Sequence, residues 1–304
     1  MNDTNAQISI LCLSKNRPLQ LEAYLTSLFQ MCREPCSVSV LYTCDLAFSA
    51  SYEKLRNEFS KVNFLSETQF SRQISDIVRK TKTPLFMFGC DDVVFKGSWE
   101  PSKIMAKFRG ASGLLAFSLR LGREITYCYP IDRDMSLPDF HEEKPFLVWR
   151  WLNAEADWGY PWELDCTVYP INFVKDFLRK FEGHFRRRKL DWSNPNRLEA
   201  LGAGLIGQEK GLDLMAAYPE ARASVLTVNK VQDDFPNRVY ESNFTAKELL
   251  DMWNRGVVLN TRYYVGRSYK SIHIGDAQFA HRSERQQIPT PRSLPNGRSV
   301  PSPV

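Results

Sequence analysis

The chain has 304 residues, 43% hydrophobic and 25% charged, an ordinary globular composition with enough apolar content for a large core. Its longest apolar runs, at 84–88 and 113–117, are strand-length and far short of the roughly 18 residues of a membrane span. Residues 1–7 lack the pattern of a secretory leader, so a cytoplasmic protein without an integral membrane segment is expected, peripheral contact with the inner membrane face staying open. The net charge of +5 is local: residues from Arg282 onward supply +3 and Arg186, Arg187, Arg188 and Lys189 supply +4, leaving the rest slightly acidic. That distribution speaks against a nucleic-acid-binding face. The seven cysteines are scattered, and Cys32 and Cys36 have no second pair at zinc spacing, so free thiols in a reducing compartment are expected.

In chain order, residues 8–13 (ISILCL) are too apolar for a half-exposed strand and predict a buried one. Asn16-Arg17-Pro18 marks a turn, with Pro18 placed to open a helix to about residue 31. A strand over 37–42, a helix over 51–59, a short strand over 62–65 and a helix over 71–80 follow. The run 84–88 (PLFMF) is another buried strand, ending in Gly89-Cys90-Asp91-Asp92. This alternation predicts an α/β fold with a mostly parallel sheet flanked by helices. Beyond residue 100 the pattern becomes irregular. Strands are expected over 114–119, 125–129 and 224–229, a loop over 130–143, and helices over 171–181 and 245–255, the last with a Thr–Glu capping box. Residues 1–282 are read as one domain, with 7–100 and 101–282 as its halves, and the proline-containing segment 283–304 as a disordered tail.

Asp91-Asp92 at the end of a buried strand is the most informative feature. Ligands of open α/β sheets sit beyond the carboxyl ends of the strands, and adjacent carboxylates repel unless a cation lies beside them. A divalent ion such as Mg²⁺ or Mn²⁺ fits; an Asp-rich turn or a helix cap is the alternative. A second candidate is 149–169, with tryptophans at 149, 151, 158 and 162 among acids. Such aromatics suit sugar stacking, or equally a satellite core. Glu155, Asp157, Glu163 and Asp165 are candidate bases there, Asp165 preferred because a β-prone run follows it, with Glu163 and Asp157 next. His273, between isoleucines, is a buried polar side chain or a ligand. Gly202, Gly204 and Gly207 match G-x-G-x-x-G, but helix-like sequence precedes them where that fingerprint needs a strand. They are taken as a helix end and a mobile loop.

The order of strand, Asn-Arg-Pro, helix, strand, acid, helix and strand ending in Asp-Asp resembles the nucleotide-sugar half of GT-A glycosyltransferases, of the family 2-like kind. A looser likeness runs to rhamnosyltransferase-like domains. The resemblance covers about residues 7–282. It implies a GT-A-type Rossmann-like sheet with an irregular acceptor-side half. The implied activity is metal-dependent, inverting hexosyl transfer from a nucleoside-diphosphate donor, with a UDP-linked sugar expected, to a glycan or lipid-linked acceptor hydroxyl in polysaccharide biosynthesis. On matching positions, Ser14, Asn16, Arg17, Asp45, Arg72 and Asp91 would bind the donor. Asp91, Asp92 and His273 would hold Mn²⁺ or Mg²⁺. Trp158, Tyr160 and Trp162 would face the acceptor, and Asp165 would be the base. The chain has only two adjacent acids where the family has D-x-D. A nucleotidyltransferase that makes nucleotide sugars and a non-catalytic carbohydrate-binding protein are the competing readings.

Overall fold

A computed structural model describes residues 5–142, 144–188, 192–231, 240 and 244–285. The first half follows the predicted alternation. Strand β1 (Ile8–Lys15) leads into α1 (Pro18–Met31), then β2 (Cys36–Thr43), α2 (Leu46–Glu58), β3 (Asn63–Ser66), α3 (Phe70–Lys80) and β4 (Leu85–Cys90). β1 and β4 are buried along nearly their whole length, as their uninterrupted apolar runs require. After a tight turn come β5 (Val93–Phe95), α4 (Pro101–Gly110) and β6 (Leu114–Ser118). The segment expected as a strand over 125–129 keeps only β7 (Tyr127–Cys128), which pairs with β8 (Arg133–Asp134). The expected loop also contains β9 (Phe140–Glu142), followed by β10 (Leu147–Arg150), β11 (Thr167–Pro170), α5 (Ile171–Arg188), α6 (Pro195–Ile206), β12 (Leu214–Ala217) and β13 (Ala223–Leu226). α7 (Ala246–Asn254) starts at the predicted capping box, Thr245 accepting from the Glu248 amide. β14 (Val257–Leu259), β15 (His273–Ile274), β16 (Phe279–His281) and the short α8 (Arg282–Arg285) complete the described chain. Of the expected tail, 286–304 lies outside the described residues.

Nine strands form one sheet in the order β3-β2-β1-β4-β11-β6-β12-β10-β9. The pairings β3–β2, β2–β1, β1–β4 and β12–β6 are parallel, and β11 and β10 run against their neighbours. The sheet is therefore mixed α/β and mostly parallel, flanked by helices. A second sheet, β15-β13-β5, brings the late strands to the Asp-Asp turn: Val225 lies opposite both Val93 and His273, and the Leu226 amide donates to the Asp92 carbonyl at 2.7 Å.

Helix α1 is buried on almost every face, the mark of a central helix. It carries Glu22, wholly buried, which accepts from Trp253 Nε1 at 2.6 Å and pairs with Arg282. A buried carboxylate is tolerable only with such partners. The glycine-rich stretch does reach a helix end, with Gly207 as the C-cap of α6, but its first two glycines lie inside the helix, which continues through Gly202 and Gly204 to Ile206. A Cβ on Gly202 would lie 2.1 Å from Trp162 Nε1, and Trp162 is fully buried and donates to the Leu198 carbonyl at 3.3 Å. Gly202 therefore lets α6 close over the indole. Helix propensity alone favours alanine by up to about 1 kcal/mol, but overpacking a rigid core costs about 1–3 kcal/mol. Gly202→Ala is expected to lower stability by about that amount in urea unfolding; an unchanged or higher midpoint would mean that the indole yields.

Candidate active site

A cleft of about 850 Å³ opens at the carboxyl ends of β1 and β4, where an open α/β sheet presents its ligand site. One side is built from the ends of β1 and β2 and the β4–β5 turn. Arg17, just before α1, sits between the two acids: its Nη1 donates to Asp91 Oδ1 at 3.0 Å and to Asp92 Oδ2 at 2.8 Å. Its Nη2 donates to the Asn229 carbonyl at 2.6 Å. Asp91 Oδ2 accepts from the Lys15 amide at 3.2 Å. Ser14 lines the cleft with its hydroxyl 2.7 Å from Tyr52 Oη, which also accepts from the Arg17 amide at 3.2 Å. Asn16 and Asp45 do not line the cleft; they exchange two hydrogen bonds of 2.8 Å that tie the end of β1 to the start of α2 beside it.

The other side comes from the end of β6, the 156–165 segment and α6. Arg120 is buried and pairs with Glu163 at 3.4 Å and Asp165 at 3.9 Å. Glu163 is 1% exposed and lies behind the cleft wall, whereas Asp157, Tyr160, Asp165 and Glu199 line it. The backbone around Asp165 is held closely: Cys166, with φ +75°, turns the chain into β11 while its amide donates to the Phe88 carbonyl at 3.0 Å. A left-handed cysteine is uncommon and is kept here by that pairing between β4 and β6.

The electrostatics follow from burial. Burial pushes Asp91 up to about 6 against the pull of Arg17, with Asp92 adding to the rise. Burial likewise pushes Asp165 up to about 7, opposed by Arg120 and reinforced by Glu163 and Asp92. Glu199 is raised well above the carboxylate range by burial, then by Asp165 and Glu163. Burial and then Arg120 push His273 down to about 3, so its imidazole is neutral at neutral pH. For the two arginines, burial acts downward but the neighbouring carboxylates outweigh it and keep both charged.

Several expectations need correction. Asp91, Asp92 and His273 all line the cleft, but among the described residues no three His, Cys, Asp or Glu side chains are gathered to hold a metal ion. Both Asp91 oxygens are taken by protein donors, and a guanidinium stands between the two acids. A divalent ion would have to sit against that positive charge, so these residues do not fit one in this arrangement. Trp158 and Trp162 are fully buried. Trp158 donates to the Ile125 carbonyl at 3.1 Å and packs against Trp149, with ring centroids 4.8 Å apart; Trp162 packs against Phe177 at 4.5 Å. They belong to the core, the alternative reading of the aromatic stretch, and offer no face to a sugar. The carbohydrate-binding reading loses the residues it stood on. Arg72 does not line the cleft: Phe70, Ile74 and Val78 are the buried face of α3 and Arg72 is exposed, as its helical phase requires. Arg120, Glu199 and Asn229 were missed as site residues. Arg120 carried a signal, a charge inside the apolar run 119–121 after a buried strand.

No family model matches this chain. Over 297 residues it is 28% identical to the bifunctional glycosyltransferase pgtA of Dictyostelium discoideum, covering 88% of this chain. The chain is related to a glycosyltransferase. It spans 38% of that relative's length. Among solved structures it is similar to S. aureus TarS, with a TM-score of 0.45, 16% identity, and coverage of 71% of this chain and 36% of that one. It is also similar to TarS 1–349 in complex with UDP, with a TM-score of 0.45, 14% identity, and coverage of 71% and 59%. A further similar structure is the mannosyltransferase PcManGT from Pyrobaculum calidifontis in complex with GDP-Man and Mn²⁺, with a TM-score of 0.34, 9% identity, and coverage of 59% and 47%. Among the described residues, no helix is long and apolar enough to cross a membrane.

The raised Asp165 has a consequence for stability. Its carboxyl holds a proton more tightly in the folded chain, at about 7, than in the unfolded chain, at about 4. Its contribution is therefore most favourable below pH 4 and is lost as pH rises through 7. Asp165→Asn is expected to raise Tm at pH 8, with a smaller gain at pH 5. Equal gains at both pH values in a thermal-unfolding series would contradict the shift.

Proposed function

We propose that this chain is a glycosyltransferase domain that moves a sugar from a nucleoside-diphosphate donor to an acceptor hydroxyl, with Asp165 as the base. The observation that carries the reading is the position of Asp165, next to the anchored Cys166 backbone and pushed up to about 7, on the wall of the same cleft as Asp91 and Asp92. The relation to a glycosyltransferase across 88% of the chain supports it. A carboxylate with a pKa near neutrality is suited to take a proton at physiological pH.

The donor lies against the β1–β2 side, its base and ribose near Ser14, Asn16 and Asp45. The acceptor enters on the side of Tyr160, Asp165 and Glu199, the acceptor being a glycan or lipid-linked saccharide. Its hydroxyl attacks the anomeric carbon while Asp165 takes the hydroxyl proton. The bond from that carbon to the diphosphate oxygen breaks, and the diphosphate leaves with the electron pair. A single displacement inverts the anomeric centre. Arg120, paired with both Glu163 and Asp165, orients the base and limits its basicity.

A panel of nucleotide sugars is expected to include one that raises Tm and whose sugar is released or transferred by the protein. Asp165→Asn should keep the Tm shift and lose about 10²–10⁴-fold in transfer rate. Transfer at the parent rate by Asp165→Asn would reject the base. A panel in which no nucleotide sugar shifts Tm or is turned over would reject the whole reading.

A further inference from the structure

Arg17 is 9% exposed and spends Nη1 on Asp91 and Asp92 and Nη2 on the Asn229 carbonyl. Its Nε has no hydrogen-bond partner although it is buried. Next to it, Asn229 is 4% exposed, and its side-chain oxygen accepts from Gln20 Nε2 at 2.9 Å. Asn229 Nδ2 is then a second buried donor without a partner, and Gln20 Oε1 beside it is an acceptor without one. Both residues line the cleft. Buried donors are almost always satisfied in a complete structure, so two unsatisfied donors on adjacent cleft-lining side chains describe a site that lacks an acceptor-rich ligand. A phosphate group has only acceptor oxygens and bonds best to charged donors. Lys15 and Lys230 line the same cleft and add positive charge. The position between Asp91 and Asp92 already holds a cation, the guanidinium itself.

We propose that Arg17 and Asn229 form the diphosphate site of this cleft, and that a nucleoside diphosphate binds there with Arg17 in the place of a divalent cation. This rests on the reading of the chain as a nucleotide-sugar enzyme. The phosphate oxygens accept from Arg17 Nε and Asn229 Nδ2, while Arg17 stays bonded to Asp91 and Asp92. Gln20 acts as a positioning residue through the Asn229 amide.

The test is calorimetry of the whole chain with UDP, GDP, CDP, ADP and dTDP, in EDTA and in Mn²⁺. At least one is expected to bind with affinities in the two buffers within about 3-fold of each other. In Asn229→Asp, which replaces the amide donor by an acceptor of the same size, affinity for that diphosphate should fall by about 10-fold or more while binding of the parent nucleoside is unchanged. Circular dichroism confirms that the variant is folded. Binding in Mn²⁺ but not in EDTA would overturn the inference and leave the glycosyltransferase reading standing, as would an Asn229→Asp variant that binds the diphosphate normally. Absence of binding in both buffers would overturn both.

Discussion

The cleft depends on one buried ion triad. Arg17 joins Asp91 at 3.0 Å and Asp92 at 2.8 Å, and the three residues come from the two ends of a long chain excursion. Two adjacent carboxylates at the end of a hydrophobic strand are a liability, because removing the partner of a buried charge costs several kcal/mol. The chain meets that constraint by turning sharply after β1, so that Arg17 reaches back across the ends of the parallel strands before α1 begins. The same guanidinium reaches the Asn229 carbonyl, so the late strands β13 and β15 are tied to the first strand through the site itself. The architecture of the cleft and the compensation of its charge are thus a single arrangement.

The opposite wall repeats the logic with a different outcome. Arg120 also lies between two acids, Glu163 and Asp165, but its contacts are longer, at 3.4 and 3.9 Å. Asp157 and Glu199 add further carboxylates on this wall of the cleft. One cation among these acids cannot hold all of them ionised in a poorly solvated place, and Asp165 and Glu199 are pushed up accordingly. Burial raises Asp91 on the first wall as well, but its guanidinium is in direct contact with both acids, whereas the second wall gathers more acids around a more distant cation. That division suits a cleft in which one side holds a diphosphate and the other removes a proton.

Much of the first half was legible because buried parallel strands advertise themselves as unbroken apolar runs, and β1 and β4 are such runs. What could not be read was pairing at long range. β11 inserts antiparallel between β4 and β6, and nothing local in the sequence around residue 167 specifies its neighbours. Asp91 and Asp92 were recognised as needing a cation, but the cation came from 74 residues upstream, and spacing carries no information about such a contact. The tryptophans misled for a related reason: composition shows that they are large and amphipathic, whereas burial of Trp162 depends on α5 and α6 folding over it and burial of Trp158 on Phe140, Trp149 and Ile125. Glu199 lies in a helix of unremarkable sequence, and only the approach of α6 to the β4–β11 region turns it into a site residue.

At the centre of the cleft stands the proposed diphosphate site, a guanidinium held between two carboxylates. A crystal structure of the chain with a nucleoside diphosphate, grown with chelator and again with Mn²⁺, tests it most directly. Phosphate oxygens are expected within hydrogen-bonding distance of Arg17 and Asn229 in both, with Arg17 still bonded to Asp91 and Asp92. A phosphate held through a metal ion on Asp91 and Asp92, with Arg17 swung away, would contradict it.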